Sequence, residues 1–91
     1  VNIEFDPAKD KANLAKHGVA LDAARHFEWE TAFEREDDRF DYGEVRFVAI
    51  GMIDAKVHVM VFTEGTDDET VRVISLRLAE KHEVRLYHAK V

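Results

Sequence analysis

VRVISLRLAEKHEVRLY, running from Val71 to Tyr87, is the stretch in which a hydrophobic strand passes directly into a basic helix. Val71, Val73 and Ile74 are β-branched and favour a pleated, half-buried strand, while Ala79, Glu80, Lys81 and Glu83 are good helix formers with no Gly or Pro among them. The change of element falls near Leu78. Two further β-rich runs precede this one, Glu44 to Met52 and Lys56 to Thr63, separated by turn-like Asp54-Ala55 and by Gly65-Thr66-Asp67-Asp68. With the strand over Thr70 to Arg77 they make an antiparallel meander, because the connections are too short for parallel crossovers.

The reading extends outward from that meander. Asn2 to Phe5 reads as a short strand with Ile3 and Phe5 on one side, ending at Asp6-Pro7. Asp6 is a helix cap, Pro7 suits the first helical position, and Gly18 supplies the left-handed residue that ends the helix, with Leu14 and Val19 placed for its closing contact. Ala8, Ala12 and Ala15 form a small-residue stripe that lets this helix lie close to what it covers. A second short helix is expected from Leu21 to Glu28, carrying Ala20, Ala24 and Phe27 at helical spacing. Thr31 to Glu34 reads as a short edge strand, and the acidic run from Arg35 to Asp41 as a solvated loop. The last helix, Ala79 to Ala89, sets Val84, Tyr87 and Val91 on one face and Lys81, Arg85 and His88 on another, with Leu86 off the stripe. The expected fold is one α+β domain over residues 1–91. It is an antiparallel β-sheet, a three-stranded meander with short N-terminal and edge strands, covered on one face by helices and closed by a C-terminal helix.

Composition restricts the function. No apolar run approaches the ~20 residues that span a bilayer, so no membrane role is expected. There is no cysteine, which excludes a disulfide frame and a thiolate metal site, and the charged N-terminus lacks an export signal, so a cytoplasmic location is expected. Net charge is −6, unfavourable for a nucleic-acid binder if it were evenly spread. It is not: eight acids against Arg35 and Arg39 lie between Glu28 and Glu44, whereas Arg72 to Val91 holds five Lys or Arg against two Glu.

The candidate chemistry sits at that basic end. If Ile74 and Leu76 face the covering helices, Arg77 faces the open side of the sheet, where it either meets a phosphate or pairs with an acid such as Glu64 or Glu80. Arg72 then shares the Ile74 face and must lie near an edge or pair with an acid, unless a bulge turns it over. Lys81, Arg85 and His88 form a basic helix face, read either as ordinary solvated surface or as contacts to phosphate or a partner. His17 and Lys16 close a helix, where cations favour the macrodipole, and His17 is also a candidate for a catalytic role. The five histidines include no HxxxH or HxH pair, so no metal and no cofactor is expected. Trp29, between Glu28 and Glu30, reads as core-edge packing or as a partner anchor, and Tyr87 joins it as a partner-contact candidate.

Four ordered blocks resemble the BrnT-type toxins of bacterial toxin–antitoxin pairs. They are FDPAK with NLAKHGV (Phe5 to Lys9, Asn13 to Val19), YGEVRFVAIG (Tyr42 to Gly51), VFTE (Val61 to Glu64) and RVIS followed by Arg77, Ala79, Glu83 and Tyr87. The resemblance implies a RelE-like fold and a metal-independent ribonuclease that inhibits translation and is neutralised by a BrnA-like ribbon-helix-helix antitoxin. DNA would then be met only through the antitoxin, in a hetero-oligomer or homodimer. On this reading Arg77, Arg72, Glu64 and His17 are the catalytic candidates, and Lys81, Arg85, Lys16 and Arg46 the RNA-binding ones. The family usually carries a basic residue after the Thr-Glu pair and another after the arginine at 77, where this chain has Gly65 and Leu78. That departure supports a second reading, a catalytically weakened module that keeps only antitoxin docking and operator co-repression.

Overall fold

The computed structural model describes residues 1–39 and 41–90. The chain runs β1 (Asn2–Glu4), α1 (Pro7–His17), two 3₁₀ turns (Leu21–His26 and Trp29–Thr31), β2 (Phe33–Asp37), β3 (Arg46–Ile53), β4 (Lys56–Glu64), β5 (Thr70–Leu78) and α2 (Lys81–Lys90). The strands form one five-stranded sheet in the order β1-β5-β4-β3-β2. β1 lies parallel to β5, and the other neighbours are antiparallel. The expected α+β meander with short flanking strands is therefore the observed one.

Local chemistry accounts for the first helix. Asp6 accepts from the Ala8 N–H at 2.8 Å, Pro7 opens the helix, and Gly18, at φ 72°, donates back to the Leu14 carbonyl. Asn13 then fixes where the helix lies. Its Nδ2 donates to the carbonyls of Val19 and Leu76, both at 2.8 Å, and its Oδ1 accepts from the Leu76 N–H at 3.2 Å. One buried amide thus satisfies both main-chain groups of Leu76 beyond the three residues that β1 covers, docking α1 on that edge of β5. The segment expected as a second α-helix is the tighter 3₁₀ type. Ala20 offers no side-chain cap, and the Leu21 N–H donates to Asp10 Oδ1 of α1 instead.

Two cores form, one on each sheet face. The first holds Leu21, Ala24, Phe27, Ala49, Met60, Phe62, Val73 and Leu76 beneath α1 and the 3₁₀ turns. Gly51 belongs to this packing: a Cβ there would come within 2.6 Å of the Phe27 ring. The second core holds Val48, Ile50, Val57, Val59 and Tyr87, with Val84 and Ala79 partly buried against it. So α2 packs on the face expected to be uncovered, drawn there by Val84 and Tyr87. Val91, expected on the same stripe, lies outside the described residues.

Two strands differ from expectation. β2 continues through Arg35, Glu36 and Asp37, where a solvated loop was expected, because an edge strand with charges on both faces shows no hydrophobic alternation. β5 is bulged: Val61 pairs with Ser75 and Phe62 with Val73, leaving Ile74 unmatched. Ile74 is consequently in neither core, whereas Val73 and Leu76 share one. The bulge turns Arg72 over, onto the face that carries Ser75 and Arg77.

Candidate functional site

The site is built on the face that α2 covers only in part. Across the sheet, Arg35, Val48, Val61 and Ser75 form one row, and Phe33, Ile50, Val59 and Arg77 form the next. Lys16 and His17, in the last turn of α1, border this surface on one side, and Glu83, in the first turn of α2, on another. The result is a cleft of about 300 Å³ floored by Val48, Val59 and Val61 and walled by Lys16, His17, Arg35, Arg39, Ser75, Arg77 and Glu83. Four permanent cations face it, in a chain of net charge −6.

Two of those cations are held by carboxylates. Arg77 Nη1 donates to Glu83 Oε1 at 2.7 Å and Nη2 to Oε2 at 2.8 Å, while Nη1 also reaches the Leu78 carbonyl at 3.3 Å. This bidentate pair raises the Arg77 pKa and lowers that of Glu83, in both cases chiefly through the hydrogen bonds between them. Arg39 donates from Nε and Nη2 to the buried Asp37, which also accepts from the Tyr42 hydroxyl at 3.1 Å. Those bonds, led by the one from Arg39, hold the Asp37 carboxyl at about 2, against the cost of its burial.

His17 is the titratable group best suited to proton transfer. Desolvation pushes its pKa below the ordinary imidazole value, and the charges of Lys16 and Arg77 push in the same direction. Its ring is therefore neutral at pH 7, with a site for a proton, beside cations that attract an anion.

Of the residues singled out from sequence, the cleft gathers Arg77, His17 and Lys16. Arg72 shares the Arg77 face but stands at the other end of β5, where Nη1 pairs with Glu4 Oε2 at 2.9 Å. Glu64 pairs with Val71 in register while Arg77 pairs with Val59, five β4 positions or roughly 17 Å apart. By alternation Glu64 also points to the opposite face, so it neither meets Arg77 nor lines the cleft. Arg46 is engaged by Glu44 at 3.0 Å and stacks on Tyr42, and it does not line the cleft. Lys81 and Arg85 are exposed on α2, away from the lining. Tyr87 is not a surface anchor: it is buried, with its hydroxyl 3.1 Å from Thr31 Oγ1. Trp29 is half-buried, edge-on to both Phe27 and Phe62, and borders an open depression with Glu28 and Glu30.

Sequence reasoning missed Arg35 and Arg39, which were absorbed into an acidic run, and the partner of Arg77. The signal for Glu83 was present. It stands three residues after Glu80, and its Oε1 accepts the Glu80 N–H at 2.8 Å, the carboxylate half of a capping box. Gly65 and Leu78 sit in unlike surroundings. A Cβ on Gly65 would lie 2.6 Å from the Thr70 carbonyl oxygen, so no larger side chain enters there without a shift, whereas Leu78 is 48% exposed.

Comparison with known proteins adds two findings. The family model described as the ribonuclease toxin BrnT of type II toxin–antitoxin systems matches residues 5–83. The crystal structure of the Brucella abortus ribonuclease toxin BrnT superposes with a TM-score of 0.65 at 25% identity, covering 89% of this chain and 99% of that one. No curated protein matches.

Proposed function

Because the chain belongs to the BrnT family of ribonuclease toxins of type II toxin–antitoxin systems, we propose that the cationic cleft is its RNA-cleaving site and works without a metal. The observation that carries this is convergence: α1, β2, β5 and the segment after β2 each send a cation to one small concavity, although the chain as a whole is acidic. Even with Glu83 and Asp37 counted, four cations outweigh two carboxylates there. A phosphodiester is the ligand such a surface attracts.

In the proposed reaction neutral His17 accepts the ribose 2′-OH proton, and the 2′-oxygen attacks phosphorus. The bond from phosphorus to the 5′-oxygen then breaks, and the departing oxygen takes a proton from solvent at the open mouth of the cleft. The products are a 2′,3′-cyclic phosphate and a 5′-hydroxyl. Arg77 and Lys16, with Arg35 and Arg39 opposite, carry the negative charge that builds on the phosphorane, an effect worth about 2.7–4 kcal/mol per well-placed donor. Arg72 and Glu64 have no part in this scheme.

The partner proposed is a BrnA-like antitoxin, through which alone DNA would be met. Its contact surface on this chain is the depression beside Trp29, flanked by Glu28 and Glu30, which suits a basic segment with an apolar anchor. A second reading, a docking module with weakened chemistry, is favoured by Gly65 and Leu78 standing where the family usually has cations. One experiment separates the two. Purified chain is incubated with structured RNA in EDTA over a salt series. Salt-sensitive cleavage that leaves cyclic phosphate ends and falls about 10²–10³-fold in Arg77→Ala supports the enzyme. Intact RNA together with tight antitoxin binding supports the module.

A further inference from the structure

The cleft contains one carboxylate that an anion-binding surface would be expected to exclude. Glu83 lines it directly and is only 14% exposed through its side chain. Its geometry gives it a purpose. A guanidinium has five N–H donors, and here Nη1 uses both of its hydrogens, on Glu83 Oε1 and the Leu78 carbonyl, while Nη2 gives one to Glu83 Oε2. What is left is Nε–H and the second Nη2–H, and among the described residues these have no acceptor. They are parallel and share one edge, the arrangement that grips two oxygens of a phosphate at once.

Resting on the ribonuclease reading, we infer that Glu83 is the positioning residue for Arg77: it clamps the terminal edge of the guanidinium so that the Nε edge is the one presented to the scissile phosphate. The clamp is itself fixed. Glu83 Oε1 also accepts the Glu80 N–H, so the carboxylate is tied to the first turn of α2, whose Val84 and Tyr87 are packed on the sheet. Without it Arg77, at the end of β5 and half-exposed, sweeps several rotamers and loses orientation while keeping its charge. Glu83 touches no substrate in this scheme and acts through Arg77.

The test follows the Arg77 Nε–Hε resonance by NMR while a non-cleavable 2′-O-methyl oligoribonucleotide is added, alongside single-turnover cleavage of the matching RNA. The expected result is a saturable Hε shift in the unaltered chain that is lost in Glu83→Gln. Cleavage by Glu83→Gln should fall roughly 10- to 100-fold, the effect of misplacing a reacting group by about an ångström. Affinity for the oligonucleotide should hold or rise, because a negative charge has been removed. Glu83→Asp, which keeps the charge and loses the reach, should fall likewise, and in an Arg77→Ala background Glu83→Gln should add nothing. Circular dichroism reports whether α2 survives each change, and the titration of the unaltered chain needs no variant. Absence of the Hε shift in the unaltered chain overturns the inference, as does a Glu83→Gln protein that cleaves as fast as the original or faster. No cleavage by any form, with an Hε shift that still depends on Glu83, rejects the ribonuclease reading and leaves the positioning role standing.

Discussion

Arg72 and Arg77 lie on one strand, on one face, and each meets a carboxylate, yet only one of them lines the cationic cleft. Arg72 makes a single contact with Glu4, is 45% exposed, and has the acidic Glu64–Glu69 stretch beside its end of β5. Arg77 is held bidentately, is 32% exposed, and is joined across the sheet by cations from α1 and β2. The residue type and the strand are the same, so neither by itself makes a cationic cleft. What separates the two ends is what other elements deliver to them: an acidic turn at one, the last turn of a helix and an edge strand at the other.

The sharpest way to break this contrast is to remove each arginine. Arg77→Ala should lower single-turnover RNA cleavage by about 10²–10³, the cost of losing a well-placed donor to a developing anion. Arg72→Ala, measured in the same assay, should change the rate by less than a few-fold, and equal losses would show that the cleft is not the site. Next in size is His17. His17→Ala should cost about 10²-fold, in the range for a general base. In the unaltered chain the rate should fall on acidification only below the ordinary imidazole pKa, because the folded-state value is depressed and the neutral form persists to lower pH. His17→Ala should abolish that acidic limb.

Two substitutions probe the ends as places rather than as residues. Gly65→Lys should destabilise by about 1–3 kcal/mol, because its Cβ collides with the Thr70 carbonyl, and this is read as a lower melting temperature. Leu78→Lys, at an exposed position, should stay within about 0.5 kcal/mol by the same measurement. Smallest of all is the Arg72–Glu4 pair. Its removal by Arg72→Ala should cost about 0–1 kcal/mol in denaturant unfolding, and less at high salt, as for other exposed ion pairs.

Much of the architecture was legible because it depends on local chemistry. Asp6, Pro7 and Gly18 bracket the first helix, alternating β-branched residues mark β3, β4 and β5, and two short polar turns fix the meander. Less was legible where the sequence carries no period or marker. β2 bears charges on both faces, and so Arg35 and Arg39 were read as part of an acidic loop. The bulge at Ile74 has no glycine to announce it, and strict alternation therefore put Arg72 on the wrong face. Tyr87 reads equally well as an anchor or as core until its stripe is seen to lie on the sheet.

What the order of residues determined alone was the first and last helices, the meander of β3, β4 and β5 with its turns, the local concentration of positive charge near the C-terminus, and, through four blocks of similarity, the BrnT family. Which side chains meet was decided only by tertiary structure. Asn13 docks α1 on the edge of β5, the bulge re-aims one arginine, and α2 brings Glu83 to another. Hydrogen-bond geometry and core packing act between residues far apart in the chain, so a periodicity that describes each element has no information about the face its neighbour will take.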